Sequence, residues 1–137
     1  MRRRHFVTLL LIPTTALLGT EADATRLRGK LVPGPALQLA DGSSVKLLSD
    51  DPTRKVLEDK RLAGADFEVL GERVSGSEFR ILPNHQRALF TYKNNQRLMV
   101  TYWCDVCYIR TYSPGVCWCC QDETRLDLID PDKVDRT

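Results

Sequence analysis

Two C-x-x-C segments separated by nine residues constrain this chain more than any other feature. Cys104-Asp105-Val106-Cys107 and Cys117-Trp118-Cys119-Cys120 contain all five cysteines of the 137 residues. A C-x-x-C segment can fold into a knuckle that aims two sulfurs at one point, and two knuckles on adjacent hairpins can enclose a tetrahedral ion. Cys104, Cys107, Cys117 and Cys120 are the candidate metal ligands, with Cys119 as a competing ligand. Three chemistries compete for these thiols. The first is a metal, zinc in a structural role, whose binding energy doubles as folding energy. The second is a set of disulfides. An odd count leaves one thiol free or bridging to another chain, and a bridge between the neighbours Cys119 and Cys120 is strained. The third is thiol exchange or copper handling, since a thiolate-dense run suits the soft Cu(I) ion.

The compartment bears on that choice. Arg2, Arg3 and Arg4 precede an apolar run from Val7 to Leu18, and Ala22-Asp23-Ala24 follows as an A-x-A cleavage pattern. Residues 1–24 therefore read as a signal peptide, too short and too interrupted for a spanning helix. No cysteine follows the run, so no lipid anchor is expected. Arg3-Arg4-His5-Phe6-Val7 resembles the twin-arginine export motif, with Arg2 where Ser or Thr usually stands. Sec export is the alternative. The resemblance implies export of an already folded chain, which allows a metal to be loaded while the thiols are reduced. The expected location is periplasmic or secreted, where unprotected thiols are normally oxidised.

Cleavage after Ala24 removes three arginines and two acids from 20 basic and 18 acidic residues, leaving 17 and 16 and a net charge of +1. That balance argues against nucleic acid as a partner, which calls for a clear basic excess. The remaining 113 residues suit one domain with one modest core.

The first half alternates with period two. Arg26–Leu31 reads as a half-buried strand with Leu27 and Leu31 inward, and Gly29 on the inward set permits a bulge or sharp coil. Pro33-Gly34-Pro35 turns the chain. Leu37 and Leu39 continue the alternation, Asp41-Gly42 makes a hairpin, and Val45 and Leu47 begin the return strand. Asp50-Asp51-Pro52 starts a helix expected over 52–61, with Val56 and Leu57 inward and Gly64 beyond its end. Phe67 and Val69, then Phe79 and Ile81, mark two strands around a turn at Ser75-Gly76-Ser77. Ala88–Tyr92 and Gln96–Trp103 read as a hairpin around Lys93-Asn94-Asn95, and Leu126 and Leu128 as a last short strand. Residues 130–137 are expected to form a loose, charged end.

In element order, in Gly29 and in the Asp41-Gly42 hairpin, the stretch Leu27–Leu82 resembles small exported bacterial OB-like domains. That resemblance implies a mainly β fold, a Greek-key barrel with one short helix over residues 25–87. Residues 98–129, with a knuckle beside each candidate strand and a reversal at Ser113-Pro114-Gly115, resemble a compact zinc ribbon. They form the expected Cys-rich unit within residues 88–129. The gap of nine is shorter than the usual ~15–20. Tyr108 and Gln121 occupy the position after the second ligand, where such knuckles often carry glycine.

Tyr102, Trp103, Tyr108, Tyr112 and Trp118 are five of the ten aromatics and lie among the cysteines. They are expected chiefly to pack the hairpins, with an exposed patch for a partner as the alternative. Arg110 and Arg125 are placed to stack on a ring or to pair with Asp105 or Asp122. His85, the single histidine beyond residue 24, follows Pro83-Asn84 and reads as a solvent-facing loop residue. No nucleophile elbow, P-loop or dinucleotide-binding glycine pattern is present. The expected function is a non-enzymatic exported module stabilised by a four-cysteine structural metal site, binding an unknown protein, glycan or small ligand. The alternatives are a thiol–disulfide oxidoreductase using Cys104 and Cys107, and a copper or other metal carrier.

Overall fold

The computed structural model describes residues 25–136, so the expected signal peptide lies outside the described residues. Five strands close a small OB-like barrel. They are β1 (Thr25–Val32), β2 (Ala36–Gln38), β3 (Ser44–Leu48), β4 (Asp66–Ser75) and β5 (Glu78–Ile81). The order around the ring is β1-β2-β3-β5-β4, with β4 returning to β1. The β3–β5 pairing is parallel and the other four are antiparallel. Alternation places Leu27, Leu31, Leu37, Val45, Leu47, Phe67, Val69, Phe79 and Ile81 in one buried core. Each such side chain contributes about 1.5–3 kcal/mol by leaving water.

Two glycines let the strands curve that tightly. Gly29 lies where β1 faces both β2 and β4, and a Cβ there would stand 2.6 Å from the Gln38 carbonyl oxygen. Gly71 pairs with Thr25 on one edge and Ile81 on the other, and its Cβ would stand 1.9 Å from the Arg80 carbonyl oxygen. Only a residue without a side chain permits that approach.

The single α-helix among the described residues, α1 (Asp51–Leu57), lies between β3 and β4 and adds Val56 and Leu57 to the core. Asp50 caps it by accepting from the Thr53 N–H at 2.9 Å. The helix is shorter than the expected 52–61. Asp59 accepts from the Arg61 N–H at 3.0 Å and starts a separate 3-10 turn, Lys60–Leu62, in place of another α turn.

The sheet does not end with the barrel. β6 (Leu89–Lys93) pairs with β4 beyond β5, and β7 (Gln96–Cys104) forms a hairpin with β6. The turn residues Asn94 and Asn95 take φ of 52° and 63°, which asparagine tolerates better than most side chains. β8 (Ile109–Thr111) pairs with Tyr102–Cys104 and β9 (Arg125–Ile129) with Met99–Trp103. Tyr102 and Trp103 have partners in both strands, so β8 and β9 flank opposite edges of β7. The charged end, expected to be loose, carries a 3-10 helix over Pro131–Arg136. Among the described residues no helix is long and apolar enough to cross a membrane.

Candidate metal centre

Strand β7 delivers Cys104 to the end of the sheet, and the chain turns at once into the first knuckle. The Cys107 N–H approaches Cys104 Sγ at 3.4 Å, and the Tyr108 N–H donates to the Cys104 carbonyl at 2.9 Å. The second knuckle repeats the pattern, with the Gln121 N–H donating to the Cys117 carbonyl at 2.8 Å. Its base is a small ladder. Val116 bridges Glu123, the Cys117 N–H donates to the Asp122 carbonyl at 2.7 Å, and the Thr124 N–H donates to the Gly115 carbonyl at 3.0 Å.

The two positions that lack glycine adopt the glycine-like backbone nevertheless. Tyr108 has φ 55° and Gln121 φ 62°. For a residue with a Cβ the left-handed region costs of order 1–2 kcal/mol. Each knuckle therefore forms against its own local preference, held by its hydrogen bonds.

The sulfurs of Cys104, Cys107, Cys117 and Cys120 lie within 4.8 Å of one another, a set that could hold a metal ion. Cys104 and Cys117 are buried, and Cys107 and Cys120 half-buried. Cys104 Sγ and Cys120 Sγ stand 3.4 Å apart, far beyond a bonded pair, and all five thiols are free. Cys119, the competing ligand, is exposed and outside the group of four. The cluster also sorts its thiols electrostatically. The backbone N–H groups of Cys120 and Cys119 pull the Cys117 thiol down to about 7. The thiols of Cys119 and Cys120 push Cys107 well up.

Charged and aromatic side chains brace the unit. Arg125 donates to both carboxylate oxygens of Asp105 at 3.1 Å, one of the pairings expected from sequence. Arg110 instead bonds Asp127 at 2.8 Å and Thr101 Oγ1 at 2.6 Å, while its guanidinium lies 4.9 Å from the centre of the Trp103 ring. Tyr102 is fully buried and Trp103 half-buried, the packing role expected of them, but Tyr108 and Trp118 are exposed.

Besides the β4–β6 pairing, two side chains tie this unit to the barrel region through long-range bonds. Tyr102 Oη donates to Asp59 Oδ2 at 2.7 Å, and Asp59 also accepts from the Arg61 guanidinium at 2.9 and 2.8 Å. His85 is the second. It is buried in a 3-10 turn, His85–Arg87, with Nε2 2.5 Å from the Tyr112 carbonyl oxygen, so the solvent-facing loop position expected of it is wrong. Its partner comes from 27 residues further along the chain, a contact with no local signature. The Tyr102–Asp59 link was likewise invisible in sequence, its partners lying 43 positions apart. No protein-family model, curated protein or solved structure matches the chain.

Proposed function

We propose that Cys104, Cys107, Cys117 and Cys120 hold one structural zinc ion and that the chain is a non-catalytic binding module acting outside the cytoplasm. The convergence of four thiols from two matched knuckles carries this reading. Four thiolates around a d10 ion form a closed tetrahedral set with no position left for water, which suits structure rather than catalysis. A zinc–sulfur bond of about 2.3 Å corresponds to sulfur–sulfur edges of about 3.8 Å. Sulfurs already within 4.8 Å reach that spacing by small side-chain movements. A disulfide needs about 2.0 Å, so the 3.4 Å pair of Cys104 and Cys120 would have to close by more than 1 Å.

The metal supplies what this part of the chain lacks. β8 has three residues and β9 five, and the segment between them makes one isolated bridge. Strands that short are marginal without a further tie. Zinc bound by four thiolates releases of order 10 kcal/mol, available only when the knuckles are folded. The thiol-exchange alternative is less well supported. Cys104 closes a strand instead of opening a helix, so no helix dipole favours its thiolate. Cys107, its partner in the motif, has its thiol pushed up.

Export follows from the reading of residues 1–24, and capture of zinc before the chain meets oxidants explains how the thiols survive there. Native mass spectrometry of protein purified without chelator or added metal tests the proposal. One zinc per chain with five alkylatable thiols after denaturation is the expected result. Metal-free chains holding two disulfides would overturn it, and tightly bound copper would replace it with the carrier alternative.

A further inference from the structure

Five large apolar side chains are exposed among the described residues, and four of them sit next to a ligand cysteine in the chain. These are Val106, Tyr108, Val116 and Trp118. Exposed apolar residues scattered singly are ordinary, whereas a cluster marks a surface that something covers. Convergence of the sulfurs within 4.8 Å gathers these four neighbours around one centre. Tyr108 and Trp118 are 75% and 76% exposed. Trp103 touches the Tyr108 ring only edge-on, with centroids 6.1 Å apart.

Tyr108 adds a conformational argument. Its φ of 55° is a backbone that glycine adopts without strain. The knuckle needs no ring at that position, yet an aromatic is held there against local preference and turned towards solvent.

Charge selects the occupant. From Cys104 to Arg125 the chain carries Asp105, Asp122 and Glu123 against Arg110 and Arg125. Arg125 pairs with Asp105, which leaves Asp122 and Glu123, both exposed, as the acids of this surface. Three acids and two arginines give −1, opposite in sign to the +2 of the whole chain. Arg110 is also turned into Asp127 and Thr101. Four thiolates on a divalent ion add two further negative charges, the part of the argument that rests on the proposed zinc centre. We infer that this surface docks a protein segment whose apolar side chains are flanked by lysine or arginine. The apolar groups cover Val106, Val116 and the two rings, and the cations meet the acidic rim and the face of Trp118. A second copy of the chain would bring like charges together, and so would a membrane rich in anionic lipid.

The test is an amide chemical-shift titration of the zinc-loaded protein. The probe is a synthetic peptide of alternating lysine with leucine and phenylalanine, compared with its glutamate counterpart. Zinc content is measured on the same sample. The expected result is saturable binding of the lysine peptide, with the largest shifts at Val106, Tyr108, Val116 and Trp118. Affinity should fall at least tenfold in Trp118→Ser and with added salt, while the glutamate peptide does not bind. Equal binding of both peptides, shifts centred elsewhere, or full affinity in Trp118→Ser overturns the inference. So does self-association without peptide, or binding to zwitterionic vesicles at the same four residues. Samples holding one zinc per chain that ignore the lysine peptide overturn the docking surface and leave the metal centre standing. Samples without metal overturn both.

Discussion

Tyr102→Phe removes one oxygen atom from a side chain with no solvent exposure, and with it one of the bonds between the barrel and the sulfur-bearing sheet. The hydroxyl donates at 2.7 Å to Asp59, whose side chain is 6% exposed. A hydrogen bond to an ionised acceptor contributes about 1.5–3 kcal/mol. Asp59 keeps both bonds from Arg61 in the variant, so the loss belongs in the lower half of that range, about 1.5–2 kcal/mol at pH 7. With a urea slope of about 2 kcal/mol/M, the unfolding midpoint falls by about 0.7–1 M.

The dependence on pH identifies the carboxylate as the acceptor. Burial works to raise the Asp59 pKa, but the bonds from Arg61 and Tyr102 outweigh it and hold the carboxyl below its ordinary 3.8. A group depressed on folding contributes stability above its unfolded value, and that stability is lost as pH falls through the lower folded value. The difference between wild type and Tyr102→Phe should therefore hold constant down to about pH 4 and then shrink toward the ~1 kcal/mol of a neutral hydrogen bond. Urea titrations of both proteins followed by circular dichroism, at pH values from 7 down to 2.5, measure it. A difference below about 0.5 kcal/mol at pH 7, or one that grows on acidification, refutes the assigned role of this bond.

Other outcomes follow from the same geometry. Cys119→Ser should retain the full metal complement, whereas Cys107→Ser should lose it, read by metal analysis after dialysis. Gly71→Ala should destabilise by at least ~3 kcal/mol in urea unfolding, because the new Cβ meets the backbone of β5 and not a movable side chain. Gln121→Gly should stabilise by up to about 1 kcal/mol, because glycine takes a φ of 62° without the Cβ penalty, while Gln121→Val should destabilise, because a β-branched residue resists that backbone more than glutamine does.

The barrel was legible because its signals are local. Leu27 and Leu31 alternate with charged neighbours, and β1 buries both. Asp50 with Pro52 marked the helix start, and the cap bond is there. Asn94-Asn95 marked a tight turn whose residues take the left-handed backbone. The helix ends before the expected position: Lys60 and Arg61 suit a helix terminus, but Asp59 accepts from the Arg61 N–H two residues on, a local cap that competes with the longer helix. Gly71 carries no local signal, although a Cβ there would meet backbone more closely than at any other described glycine. A glycine inside a strand reveals its purpose only when both neighbouring strands are known. His85 failed for a related reason, its partner Tyr112 belonging to a distant segment.

At the sulfur cluster the spacing pointed to the four cysteines now found together, while the absence of glycine after each pair counted against knuckles. Tyr108 and Gln121 show that hydrogen bonds can hold a side-chain-bearing residue in that backbone. The exposure of Tyr108 and Trp118 was not legible, because an aromatic beside a candidate ligand reads as packing until the neighbouring surface is in view.

X-ray absorption at the zinc edge of the purified protein tests the central claim most directly. Four sulfur scatterers at about 2.3 Å and no nitrogen or oxygen in the inner sphere is the expected spectrum. A coordination shell with fewer than four sulfurs, or one filled by light atoms, would contradict it.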